Sequence, residues 1–325
     1  MKKRSLIAFL LALTMAFSLA ACDNKTNDEP TTNPDPGQTT EKTGYKVAYC
    51  TKRWSGSEHW MTVRNGVDGA IRPEDEYFFI DCNGDLDTQV KALEDLVAQG
   101  VDAIICAPRD PDGVVAAYEM IHNAGIKLIS LDCSSSAPEF EDACVKMDYV
   151  STGKLCAENL LEKIDYKGKV ILYYDFPNVE ANERADGFKE VAAQYPDVEL
   201  VLVDGFGTVD EALLKLEDAL IANPDAAAVW GYNSQVAQAA ISLLESMQMD
   251  CLVSCVDCTS IEVENIRTGR LVGGAAQFPE AMGAKAVEVM YDILDGKTIE
   301  DKTIRLETEW VDASNVEEFA AKMGF

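Results

Sequence analysis

The chain has 325 residues, with 56 acidic against 28 basic side chains and a formal charge of −28. That acidity excludes a nucleic-acid role, because phosphate binding needs a basic patch. The length allows two lobes with separate cores.

Residues 1–22 open with Lys2, Lys3 and Arg4, continue as a short apolar run, and close on Leu19-Ala20-Ala21-Cys22. The run is too short, and lacks the stop-transfer flank, for a membrane span. Small residues ahead of a cysteine resemble the bacterial lipobox, which implies lipidation of Cys22 and an anchored, extracytoplasmic protein. Loss of the three leader cations takes the charge of the mature chain to about −31. Residues 23–44, DNKTNDEPTTNPDPGQTTEKTG, hold almost nothing apolar and read as a flexible linker.

From Tyr45 onward, apolar runs rich in β-branched and aromatic residues alternate with helical patterns. Strands are expected at 46–50, 77–81, 102–107 and 127–132, then at 169–174, 199–203, 226–230 and 251–257. Residues 88–99 put Val90, Leu93, Leu96 and Val97 on one helical face, with Gly100 as the stop. Residues 211–222 repeat Leu213, Leu216 and Leu220 and end before Asn223-Pro224. A further helix is expected over 279–295. Alternating strands and helices with short connections specify an α/β fold whose parallel sheets are covered on both faces.

The order repeats at an offset of 125 residues: Ile126-Lys-Leu-Ile-Ser-Leu-Asp132-Cys133 aligns with Cys251-Leu-Val-Ser-Cys-Val-Asp257-Cys258. Two similar open Rossmann-like lobes follow. Ligands of such sheets sit beyond the carboxyl ends of the strands, and Asp132 and Asp257 each end a strand. Each lobe thus offers one carboxylate to a shared cleft. Of the ten cysteines, six lie in or beside strand-like runs, where thiols behave as small buried hydrophobes; mostly reduced thiols are expected.

Several separated motifs occur in a telling order. They are Ser57-Glu-His-Trp60 ahead of Asn65-Gly66, Leu131-Asp132, Met147-Asp148-Tyr149, Asn182-Glu-Arg-Ala-Asp-Gly187-Phe188, Gly231-Tyr-Asn233, Val256-Asp257 and Ala276-Gln277-Phe278-Pro279. Over residues 45–310 the chain resembles the periplasmic sugar-binding proteins of the ribose, galactose and arabinose type (periplasmic-binding-protein type I), the ligand-capturing subunits of ABC importers. The resemblance implies an N-terminal lobe of 45–147 with 278–304 and a C-terminal lobe of 148–277 with 305–325. Three crossings near 147–149, 276–279 and 304–308 would form the hinge.

The resemblance also implies a ligand set. Ser57 would bond a hydroxyl, His59 and Trp60 would pack on the sugar face, and Asp132 would accept from two hydroxyls. Phe206 would close the sandwich, and Asn233, Asp257 and Gln277 would complete the polar set. Asn182 stands where many relatives place an arginine, and Cys133 where ribose-type proteins carry another. Both departures remove cations and argue against ribose itself; Arg184 and Arg109 are the local arginines available instead. The chemistry suits a sugar: carboxylates and amides satisfy its hydroxyls, and aromatic planes cover its C–H faces. Pentoses, hexoses, sugar alcohols, furanose-like molecules and nucleosides all meet these requirements.

Other patterns carry less. Asp81-Cys-Asn83-Gly-Asp85-Leu-Asp87 mimics a calcium loop but lies at a strand–helix junction, where Asp87 would cap a helix beginning at Thr88. Cys255-x-x-Cys258 lies at a strand end, far in sequence from either histidine. No Gly-x-Ser-x-Gly or Walker motif and no base–nucleophile pair emerges. The expected protein is a monomeric binding protein without cofactor or metal, not an enzyme. It would serve ABC permease subunits or, alternatively, present its closed form to a histidine kinase or chemoreceptor.

Overall fold

The computed structural model describes residues 44–55, 57–176 and 178–325. The expected leader, Cys22 and the linker up to residue 43 lie outside the described residues. Among the described residues no helix is long and apolar enough to cross a membrane.

Two six-stranded sheets organise the chain. The first contains β1 (Lys46–Thr51), β2 (Glu76–Asp81), β3 (Ala103–Cys106), β4 (Lys127–Leu131), β5 (Ala143–Met147) and β11 (Thr303–Leu306), in the order β2-β1-β3-β4-β5-β11. All of its pairings are parallel. The second contains β6 (Gly168–Tyr174), β7 (Val198–Asp204), β8 (Ala226–Gly231), β9 (Leu252–Val256), β10 (Gly273–Ala276) and β12 (Glu309–Asp312), in the order β7-β6-β8-β9-β10-β12. Only its edge pair, β10 with β12, is antiparallel. The two orders match strand for strand, as the 125-residue repeat requires. In each sheet the order reverses beside the first strand, which places a crevice at its carboxyl end.

The chain passes between the sheets three times. It leaves β5 for α4 (Tyr149–Lys163), which packs on β9 and β10, and returns from β10 through α9 (Pro279–Leu294), which packs on β3, β4 and β5. The third passage joins β11 to β12 through Glu307 and Thr308. The sheets are buried on both faces: Val47, Tyr49 and Ile105 point to one side of the first, and Ala48, Cys50 and Ile104 to the other.

Two strands carry little sequence signal. β10 is Gly-Gly-Ala-Ala, without a β-branched residue, and its small side chains let Trp310 of β12 lie across it. β5, Ala-Cys-Val-Lys-Met, is too mixed to stand out from a loop. At the Asp81–Asp87 segment, the helix α2 (Leu86–Gln99) begins two residues earlier than expected. Asp85, not Asp87, is its cap and accepts from the Thr88 N–H at 2.7 Å. The Asp81 carboxylate takes the Trp54 and Asn83 N–H groups. The nine described cysteines carry free thiols, Cys50 and Cys82 with sulfurs 3.4 Å apart.

One packing device recurs in both lobes. Helix α1 (Glu58–Ala70) crosses α9, and α4 crosses α5 (Val179–Ala192), each pair meeting through glycines. A Cβ on Gly66 would lie 1.9 Å from the Glu280 carbonyl oxygen, and one on Gly187 would lie 2.0 Å from that of Val150. Backbone meets backbone there, so no side chain can yield. These contacts seat the two helices whose first turns face the cleft. Gly187→Ala is expected to destabilise the protein by about 1–3 kcal/mol through overpacking, read as a lower urea midpoint at unchanged slope. An unchanged midpoint would show that the crossing is looser than its geometry.

Candidate functional site

The carboxyl ends of the two sheets face a shared cavity of about 540 Å³. The first lobe contributes Lys52 and Arg53 after β1, Trp60 in the first turn of α1, Arg109 after β3 and Cys133 after β4. The second contributes Asp175 after β6, Asn178 and Glu180 at the start of α5, and Phe206 after β7.

At the ends of β4 and β9 the backbone does the same unusual thing twice. Asp132 has φ +76° and Asp257 φ +83°, a region that costs a non-glycine residue roughly 1–2 kcal/mol. Each N–H is held by the neighbouring strand, Asp132 by the Val145 carbonyl at 2.8 Å and Asp257 by that of Ala275 at 2.9 Å. Strain kept at equivalent positions of two lobes points to the side chains placed there.

The Asp132 carboxylate accepts from Lys52 Nζ at 2.8 Å and from the Tyr149 hydroxyl. Burial alone would raise its pKa. The Lys52 charge, aided by His59 and hydrogen bonds, outweighs burial and holds the group well below the carboxylate range. Lys52 is the mirror case: desolvation disfavours its charge, but Asp132 and Glu180 restore it and keep the ammonium protonated. Glu180, 3.2 Å from the same ammonium, has its pKa raised, by burial first and by Asp132 as well.

On the other side the Asp257 carboxylate accepts from the Gln277 amide and, at 3.4 Å, from the Ser234 N–H. Gln277 Oε1 in turn accepts from Arg184 Nη2 at 3.1 Å, while Nη1 donates to the Tyr232 carbonyl at 2.9 Å. Arg184 is only 8% exposed, its guanidinium lies 4.7 Å over the Tyr149 ring, and its Nε has no partner among the described residues. A buried guanidinium with an unused donor is suited to take an acceptor from outside the protein.

The aromatic walls differ in exposure. Trp60 is buried, has Lys52 Nζ 5.0 Å above its ring, and meets His59 edge-on at 5.2 Å. Phe206 is 64% exposed at the mouth of the cavity. Burial lowers the His59 pKa, and the cations Arg184 and Lys52 add to that, against the opposing pull of Asp132 and Asp257.

Of the residues singled out in the sequence, Trp60 and Phe206 line the cavity, Asp132 is held by Lys52 and Tyr149, Asp257 and Gln277 bond each other, and His59 packs edge-on against Trp60. Ser57 caps α1, accepting from the Trp60 N–H at 3.4 Å. Asn233 caps α7 (Ser234–Met247) through Oδ1 and donates to the Gly207 carbonyl at 3.0 Å. Asn182 donates to the Phe176 carbonyl, within its own lobe, and is not among the residues lining the cavity. Its helix sends Glu180 into the cavity lining, while Arg184, one turn on, is buried against Tyr232, Gln277 and Tyr149. Lys52 and Glu180 carried no signal in the sequence, because a long polar side chain beside a turn reads as a solvated one; Tyr149 stood in a motif of the resemblance but was not assigned to the site.

This geometry has known counterparts. The family described as periplasmic binding protein domain matches residues 47–298. The chain belongs to that family and has its type I fold. It is 27% identical over 309 residues to the ribose import binding protein of Bacillus subtilis, covering 93% of this chain and 98% of that one. It is 26% identical to a putative rhizopine-binding protein of Rhizobium meliloti, covering 82% and 87%. Among solved structures, an ABC transporter solute-binding protein from Actinobacillus succinogenes with bound D-allose is 25% identical, with TM-score 0.77, covering 84% and 99%. One from Bacillus halodurans with bound myo-inositol has TM-score 0.79 at 23% identity, covering 87% of this chain and 100% of that one, and shares the fold.

The lowered pKa of His59 has a stability consequence. The unfolded imidazole takes up a proton near its ordinary pKa of 6.5, whereas the folded one resists it. Stability is therefore full above that value and lost as pH falls below it. Glu180 and Asp175, raised mainly by burial, act in the opposite sense at more acid pH, so the comparison is with a variant. Melting temperature is expected to fall between pH 7.5 and 5.5, and to fall less in His59→Gln. Parallel curves for the two proteins would show that the imidazole titrates freely in the fold.

Proposed function

We propose that the protein captures a small sugar or polyol between its lobes, outside the membrane, and delivers it to an ABC permease. The observation that carries this reading is the paired strand-end aspartates. Asp132 and Asp257 stand at equivalent strand ends of the two lobes, both at positive φ; Lys52, which pairs with Asp132, and Cys133, which follows it, line the cavity that Trp60 and Phe206 wall. Such a pair meets a molecule with hydroxyls on opposite edges and apolar C–H faces between them. The names of the relatives support the same class: ribose import, rhizopine binding and D-allose binding.

The ligand is a sugar other than ribose. Cys133 stands where ribose-type proteins place a cation, and here the cations that line the cleft are Lys52, Arg53 and Arg109, with Arg184 buried beyond it. Cys22 carries the lipid anchor, residues 23–44 tether the lobes to the outer face of the membrane, and the three passages between sheets act as the hinge. The protein works as a monomer. Capture needs no chemistry beyond hydrogen bonding and stacking, so neither cofactor nor turnover is part of the function.

Thermal-shift screening against monosaccharides, polyols, nucleosides and amino acids tests the ligand class, since a ligand that binds only the folded state raises its melting temperature by mass action. A large shift with one sugar or a narrow set is expected. Shifts only with amino acids or nucleosides would retain the fold and overturn the class. With the ligand in hand, Asp257→Ala should weaken binding by roughly 2–4 kcal/mol, the cost of removing a charged acceptor from a buried site. Calorimetry showing a loss of only a few tenths would remove Asp257 from the site.

A further inference from the structure

The first lobe brings two arginines to the cavity, Arg53 on the loop after β1 and Arg109 on the loop after β3. Elsewhere such side chains are paired: Arg64, Arg72, Arg267 and Arg270 each have a carboxylate within ion-pair distance. Arg53 and Arg109 have none among the described residues, although the chain holds 56 acidic against 28 basic side chains.

Arg109 is built into place. Its backbone N–H donates to Gln89 Oε1 at 2.7 Å, and that fully buried amide donates in turn to the Ala107 carbonyl at 2.9 Å. Its Nε donates to the Gly84 carbonyl at 2.9 Å. Gly84 sits at φ +78°, and its N–H donates to the Lys52 carbonyl at 2.7 Å. One turn thus ties the Arg109 side chain to the backbone beside Arg53. With Nε bound to the backbone, the two Nη nitrogens have no partner among the described residues and form a planar fork at the cavity wall.

The carboxylates that share this lining are already engaged. Glu180 meets Lys52 at 3.2 Å, Asp175 accepts from the Tyr232 hydroxyl at 3.2 Å, and Asp110 accepts from the N–H groups of Asp112 and Gly113. The charge left open to a ligand is therefore positive, in a chain of net charge −28. A neutral hydroxyl offers one oxygen to such a fork. A carboxylate offers two, and its charge-assisted hydrogen bonds are roughly twice as strong as neutral ones.

We propose that the cleft takes a sugar carrying a carboxylate, a uronic or aldonic acid, with the acid group on the Arg109 fork and Arg53 adding to the positive field. This rests on the two-lobe sugar-binding reading and narrows its ligand class. A phosphate ester suits the lining less, because its second negative charge would face Asp110, Asp175 and Glu180 in the same cavity.

Calorimetric titration of the purified protein with matched pairs tests the proposal: glucose against glucuronate, galactose against galacturonate, glucitol against gluconate, with glucose 6-phosphate alongside. At least one acid should bind, and its neutral counterpart should bind roughly ten- to a hundredfold more weakly, the range for hydrogen bonds to a charged group. Arg109→Gln should lose that preference, and Arg109→Lys, which keeps the charge without the fork, should keep only part of it. Tighter binding of a neutral sugar than of its acid, or a preference that survives in Arg109→Gln, would overturn the proposal and leave the sugar-binding reading standing. Binding of the phosphate ester above every carboxylate would overturn it too. No heat from any of these compounds would count against both readings. Should Arg109→Gln not fold, a salt series on the wild type decides. Affinity for the acid that falls with added salt supports the assignment, and affinity that does not change refutes it.

Discussion

Two cations of a strongly acidic chain, Lys52 between the lobes and Arg184 within the second, are held largely out of water, and the two strand-end aspartates are arranged around them. A buried charge is tolerated only with partners that replace its hydration. Lys52 draws Asp132 from its own lobe and Glu180 from the other. Among the described residues Arg184 has no carboxylate within ion-pair distance; it is held by the Tyr232 carbonyl, the Gln277 amide and the Tyr149 ring, with Asp257 one hydrogen bond further on. The two strand-end aspartates are thus positioned by different means, one by direct ion pairing and one through an amide relay. The backbone strain at both is repeated, but the chemistry that surrounds them is not.

That asymmetry sits on a symmetric frame. Duplicated sheets with matching strand order bring their carboxyl ends together, and duplicated glycine crossings fix the helices that deliver His59, Trp60, Glu180 and Arg184. Symmetry of the frame explains why both lobes reach one cavity. Divergence of the side chains on it lets the cavity fit a ligand that has no two-fold axis. Trp60 is packed and buried while Phe206 stands exposed at the mouth, a division suited to a platform and a closing cover.

The sequence was legible where physics is local. Strand runs with β-branched residues, the Leu93–Leu96 helical face and the helix over 279–295 follow from periodicity and caps. Asp132 and Asp257 were legible because the repeat superposes them. β10 was not, because its strand character comes from what packs on it rather than from Gly-Gly-Ala-Ala itself. On α5 the resemblance puts Asn182 in the ligand set and leaves Arg184 only as an available arginine; the two are about 200° apart on a helix, and Arg184 is the one drawn into the buried hydrogen bonds with Gln277 and Tyr232. Lys52 and Glu180 become site residues solely through their meeting across the cleft, which no local pattern encodes.

The account stands on one claim, that both lobes grip a single ligand between them. Hydrogen exchange measured by mass spectrometry, with and without the sugar that stabilises the protein most, tests it directly. The account predicts protection in both lobes together, in peptides spanning Leu131–Ser135 and Val256–Thr259, and at the three passages between the sheets. Protection confined to one lobe, or lying away from both strand ends, would contradict it.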